Sequence, residues 1–112
     1  MRVPLIASAL LLAASAALTK AAAQAPDGKA LFEDNCRKCH GVRGTPPKTM
    51  KEKFPKIVTF DAKFLTEHSV DSIVKVLTKG KNEDMKSFKE KLTAPEMKAV
   101  AEYVHEIAKP KP

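Results

Sequence analysis

The chain has 112 residues, a net charge of +7 and 44% hydrophobic residues, with two cysteines, one tyrosine and no tryptophan. That length fits one small domain, and below about 100 ordered residues a polypeptide core alone is marginal. Its lysines are interleaved with acids rather than gathered in a basic arm. This excludes a nucleic-acid-binding tail and suits electrostatic steering toward an acidic protein surface.

The first element is a leader. Arg2 precedes an almost wholly apolar run from Val3 to Leu18, and small residues follow from Ala21 to Ala25, the three-part pattern of a secretory signal peptide. Cleavage after Ala23 is preferred to cleavage after Ala25, which would leave Pro26 beside the scissile bond. A signal peptide over residues 1–23 leaves a mature domain of residues 24–112. The apolar run of roughly 16 residues is shorter than the about 20 a spanning helix needs, so no membrane span is expected after cleavage. Export to the periplasm is the expected localisation. Losing Arg2 and Lys20 lowers the net charge from +7 to +5.

In the mature part, Asp27 is placed to cap a first helix running to about Cys36, with Gly28 and Phe32 on one face. The run Gly41-Val42-Arg43-Gly44-Thr45-Pro46-Pro47 reads as turns. A short helix is expected around Met50 to Phe54, stopped by Pro55, and Asp61 caps another short turn through Phe64 and Leu65. Ser69 starts a clearer helix whose Val70, Ile73, Val74 and Leu77 form one apolar stripe, ended by Gly80 in a left-handed conformation. Residues 80–92 are polar and irregular apart from Met85, Phe88 and Leu92. Thr93 and Glu96 have capping-box spacing and Pro95 falls in the first turn of a last helix. Met97, Val100, Ala101, Val104 and Ala108 make its buried stripe. With no period-2 alternation, the fold class is all-α, with three to five helices and long connecting loops.

The chemistry is concentrated in Cys36-Arg37-Lys38-Cys39-His40, which uses every cysteine of the chain. Cys-X-X-Cys-His reads as a c-type haem attachment site: each thiol can form a thioether with one porphyrin vinyl group, and the adjoining imidazole reaches the iron. A thioether as the sixth ligand raises the reduction potential. Met97 belongs to a core stripe and Met50 lies close after His40, where the chain would have to turn around the porphyrin edge. Met85, among polar residues between two good helices, is the preferred ligand. His68 beside a helix cap and His105 on a helix edge read as solvated or structural. Two other readings use the same cysteines. A haem-free thiol–disulfide oxidoreductase calls for strands that the pattern lacks and leaves His40 without a task. A zinc site would lack a fourth ligand.

From Pro26 to Ala108 the chain resembles the small class I c-type cytochromes. The residues that carry the likeness are Cys36, Cys39 and His40, Gly41 after the histidine, Met85 with Phe88 three residues on, and the last helix from Thr93 through Tyr103. The resemblance implies a cytochrome c fold wrapped around one covalent haem c, with His40 and Met85 as axial ligands. It implies that Gly28 and Phe32 meet Tyr103 where the first and last helices cross. It also implies that a proline carbonyl, Pro46 or Pro47, faces the other nitrogen of His40. The chain departs from the family in having Lys86, not proline, directly after Met85. The function implied is that of a non-enzymatic, monomeric one-electron carrier between respiratory partners, an acidic reductase and an oxidase or similar acceptor. Lys38, Lys81, Lys86 and Lys89 are the candidate docking residues.

Overall fold

Helices follow one another along the domain with no strand between them among the described residues, which in this computed structural model are Met1 and residues 25–112. The leader expected over residues 1–23 lies, apart from Met1, outside the described residues. The elements are α1 (Gly28–Asn35), α2 (Arg37–His40), α3 (Lys48–Lys53), α4 (Ala62–Glu67), α5 (Val70–Lys79) and α6 (Ala94–Ala108). Six segments stand where three to five were expected, because the attachment motif adds a separate turn, α2, after α1 ends, as expected, at Cys36. There φ −122° and ψ −33° depart from helical geometry, and a separate turn restarts at Arg37.

Local chemistry explains the boundaries. The Asp27 carboxylate accepts the Ala30 N–H, Asp61 accepts that of Phe64, and the Ser69 hydroxyl accepts that of Ser72. Each satisfies a donor that the first helical turn leaves open. At α6 the box is complete: Thr93 Oγ1 accepts from Glu96 N and Glu96 Oε1 accepts from Thr93 N. Gly80 ends α5, but at φ 73° and ψ 166°. That is the extended positive-φ region almost reserved for glycine, not the left-handed helical conformation expected.

The core follows the two apolar stripes. Phe32 from α1, Ile73 and Leu77 from α5, Leu92, and Met97, Val100, Ala101, Val104 and Ala108 from α6 are buried. Each large side chain among them contributes about 1.5–3 kcal/mol of burial. Helix α6 is the hub on which α1 and α5 both pack. The α1–α6 crossing is as the resemblance implied: a Cβ at Gly28 would run into the Ala99 carbonyl oxygen and come 3.2 Å from Tyr103 Cβ. Only glycine admits that approach. One turn on, the Phe32 and Tyr103 ring centroids are 5.3 Å apart. Among the described residues no helix is long and apolar enough to cross a membrane.

Candidate haem site

The restarted turn α2 arranges the motif. Cys39 N–H and His40 N–H both donate to Cys36 O, at 3.2 and 3.0 Å, and Gly41 N–H donates to Arg37 O at 2.8 Å. Positions three and four apart on a helical turn are neighbours on one face, so Cys36, Cys39 and His40 come to the same side. That side borders a cleft of about 730 Å³, within the size range of cofactor sites. Phe54, Ile57 and Val58 form one wall, and Met85 and Phe88 stand in the other.

Both cysteines are half-buried free thiols. Burial, and secondarily the neighbouring Cys39, pushes the Cys36 thiol up to about 11, so it is protonated at neutral pH. A catalytic dithiol needs the opposite shift, toward the thiolate. Together with the all-helical fold, this disfavours the oxidoreductase reading. His40 is held below its ordinary value, first by burial and then by the charge of Lys81, which keeps the imidazole neutral and its lone pair available. Among the described residues no three of His, Cys, Asp and Glu gather as a metal-binding group, which leaves the zinc reading without a site.

Of Met50, Met85 and Met97, Met85 alone lines the cleft. Met97 is 4% exposed in the core, with the Thr78 hydroxyl 3.8 Å from its sulfur. Met50 sits on α3, away from the lining. Met85 is less isolated than its polar sequence neighbours suggest, for it is half-buried and touches the edge of the core. Its loop is stiff without a following proline. Lys81 N–H donates to Met85 O at 2.8 Å, Asn82 Oδ1 accepts from Met85 N at 2.9 Å, and Phe88 N–H donates to Leu77 O at 2.8 Å. The Ser87 hydroxyl adds a bond to Thr78 O at 2.6 Å. Gly80 lets this segment fold back on α5, since a Cβ there would come 2.6 Å from Ser87 N.

Neither remaining histidine borders the cleft. His105 Nε2 lies 2.6 Å from the His68 carbonyl, so this nitrogen carries the proton and ties α6 to the end of α4. The His68 ring packs on Phe64 at 4.5 Å.

Among the described residues some lysines are ion-paired, whereas others, at the cleft and away from it (Lys38, Lys51, Lys75, Lys79 and Lys89), are not. Lys29, Lys48, Lys63, Lys98 and Lys109 each lie within 4.0 Å of a glutamate on their own helix or at its end. The cleft-lining Lys53, Lys56, Lys81, Lys86 and Lys91 have no such partner among the described residues. Lys53 rests over Phe54 and Lys91 over Phe88 instead, at 5.2 and 5.9 Å from the ring centroids. Of the four lysines expected to flank the haem edge, Lys81 and Lys86 line the cleft, and Lys38 and Lys89 do not. Lys53, Lys56 and Lys91 were missed, because only the fold brings the end of α3 and the segments after it and before α6 to the cleft.

Residues 23–104 match the family described as Cytochrome C oxidase, cbb3-type, subunit III. The chain belongs to that family; it is a small mono-haem c-type cytochrome with a covalently bound haem c and its iron. Among solved structures it is similar to the KustC0563 c-type cytochrome, at 34% identity and a TM-score of 0.65 over 72% of this chain and 96% of that one. A tyrosine-to-phenylalanine variant of Kustc0563 is similar at 35% identity and 0.64, over 72% and 98%. No curated protein matches. The family makes the chain a haem-based electron-transfer protein with redox partners. The cleft fits the cofactor: two free thiols, a neutral imidazole and a thioether border a single apolar space.

Proposed function

We propose that the protein is a periplasmic one-electron carrier between respiratory partners, in which Cys36 and Cys39 form the thioethers and His40 and Met85 are the axial ligands. One observation carries this reading. Two thiols, an imidazole and only one of the three mature methionine sulfurs line the same cleft. When bound, the haem supplies a ferric–ferrous couple. The chain's residues do the rest. The pinned loop from Lys81 to Phe88 holds Met85 in place, so little reorganises on electron transfer. A thioether ligand keeps the potential high. Phe54, Ile57, Val58 and Phe88 exclude water from the cleft walls. The unpaired lysines at its mouth, Lys81 and Lys86 foremost, steer an acidic partner toward the open side.

The test is the visible spectrum of the exported protein with and without Met85→Ala. Loss of the weak far-red band of iron–sulfur ligation is expected, and its persistence would transfer the role to Met50. For docking, electron exchange with an acidic partner is expected to slow steeply as salt rises. Rates independent of ionic strength would remove the docking lysines and leave the ligands standing.

A further inference from the structure

Met85 sits on a short segment of chain between two fixed points. On its C-terminal side the Ser87 hydroxyl donates to Thr78 O at 2.6 Å and Phe88 N–H donates to Leu77 O at 2.8 Å, which ties residues 87 and 88 to the end of α5. On its N-terminal side Gly80 ends α5 at φ 73° and ψ 166°. The stretch between, from Lys81 to Lys86, has no helix, and every residue in it is exposed except the half-buried Met85. Packing holds such a segment weakly, so its hydrogen bonds decide where Met85 stands.

Asn82 takes part in all but one of the bonds within residues 81–85. Its side-chain Oδ1 accepts from Asp84 N at 3.0 Å and from Met85 N at 2.9 Å, and its own N–H donates to Met85 O at 3.3 Å. The remaining bond, from Lys81 N–H to Met85 O at 2.8 Å, closes the same loop. Both backbone polar groups of Met85 are thereby engaged. An asparagine in an exposed loop is ordinarily a solvated side chain, or it is there because it tolerates a left-handed backbone. Neither account fits Asn82. Its carbonyl oxygen accepts twice from the chain that follows, and among the described residues only glycines have positive φ.

We propose that Asn82 is a positioning residue, whose side chain holds the Met85 peptide in the orientation that presents the thioether to the cleft. It supplies the local stiffness that the fixed φ of a proline at position 86 would otherwise give. This rests on the assignment of Met85 as the distal ligand. Removing the Asn82 acceptor leaves Cys36, Cys39 and His40 untouched and makes it easier to draw Met85 out of the cleft.

The experiment uses the exported holoprotein with its Asn82→Ala variant, which lacks the acceptor, and its Asn82→Asp variant, which keeps one at the same place. Imidazole added to the ferric protein competes with Met85 for the iron, and its binding is read from the loss of the far-red band. Asn82→Ala is expected to bind imidazole about tenfold more tightly than wild type, in keeping with the loss of two hydrogen bonds from the methionine-bound form alone. Asn82→Asp is expected to match wild type. Unchanged affinity in Asn82→Ala overturns the proposal, whatever happens to the thermal unfolding midpoint, and so does equal tightening in both variants. Amide hydrogen exchange of the wild-type holoprotein decides independently, should Asn82→Ala not fold. Slowed exchange at the Asp84 and Met85 amides supports the proposal, and exchange at the rate of an unstructured chain overturns it. Persistence of the far-red band in Met85→Ala would sink the ligand assignment itself, a failure distinct from that of the Asn82 pin.

Discussion

At the α1–α6 crossing Phe32 is fully buried, Gly28 lies against the Ala99 carbonyl, and Val100, Ala101 and Val104 close the gap behind them. Across the molecule, the two walls of the cleft are built from residues 53–58 and 81–91, which for the most part form no helix. Their apolar residues, Phe54, Ile57, Val58, Met85 and Phe88, are all half-buried. The first region is a finished protein interior made of chain against chain. The second is half of an interior, whose apolar surface needs the haem to complete it. The contrast explains how a domain of this size is stable: the crossing supplies a small core of its own, and the cofactor enlarges it.

The largest effect that would test this division is removal of the attachment. Replacing both Cys36 and Cys39 by alanine is expected to leave a chain that exchanges amide hydrogens rapidly at residues 53–58 and 81–91. Its stability should fall by most of the about 5 kcal/mol that a domain at the low end of the usual range has. Residual protection, where any survives, belongs in α6. Equal protection of both regions in the haem-free chain would erase the distinction. Next comes Phe32→Ala, which opens a cavity in the finished interior and is expected to cost about 3–5 kcal/mol in denaturant unfolding. Its far-red band should be retained, because the cleft is not touched. Gly80→Ala should show the reverse balance. It forces an alanine into a glycine-only conformation and against Ser87 N, at about 1–3 kcal/mol, and it weakens or abolishes the band by displacing Met85. A Gly80→Ala protein with an unaltered band would show that the loop adapts.

The same contrast governs what the sequence reveals. Helices α5 and α6 are legible because an apolar stripe, an N-cap and a stop residue coincide in each, and all three are local signals. The attachment motif is legible because its spacing is itself the chemistry. Residues 54–60 carry no period and no cap until Asp61, so the placing of Phe60 behind His40 arises only from a long-range contact. The end of α1 at Cys36 was legible, but the restarted turn α2 was not, since nothing in Arg37 to His40 announces helical geometry apart from the motif itself. Gly80 was correctly taken as a stop but in the wrong conformation: ψ is set by the returning Met85 loop, not by the helix it ends. The fold does not choose between Pro46 and Pro47: the Pro47 carbonyl accepts from the Met50 and Lys51 N–H groups at the start of α3, and neither proline bonds the His40 ring.

The smallest effects lie at the start of α6, where the finished region begins and the cleft wall ends. Thr93→Ala removes the cap and is expected to cost about 1 kcal/mol, with no change in the visible spectrum. Its partner Glu96 gives this junction a pH dependence. The Thr93 backbone N–H, and after it the Thr93 side chain, holds the Glu96 carboxyl below its ordinary value of 4.5. A carboxylate whose folded value is depressed stabilises the fold fully above its unfolded value, and that contribution is lost as pH falls through the lower folded one. Unfolding of wild type and Glu96→Gln should therefore differ by a constant amount at neutral pH and converge below 4.5. The gap is small, because the group is exposed and solvent screens it. Convergence that begins near pH 7, well above the range in which this carboxyl titrates, would show that the cap carboxylate is not the group responsible.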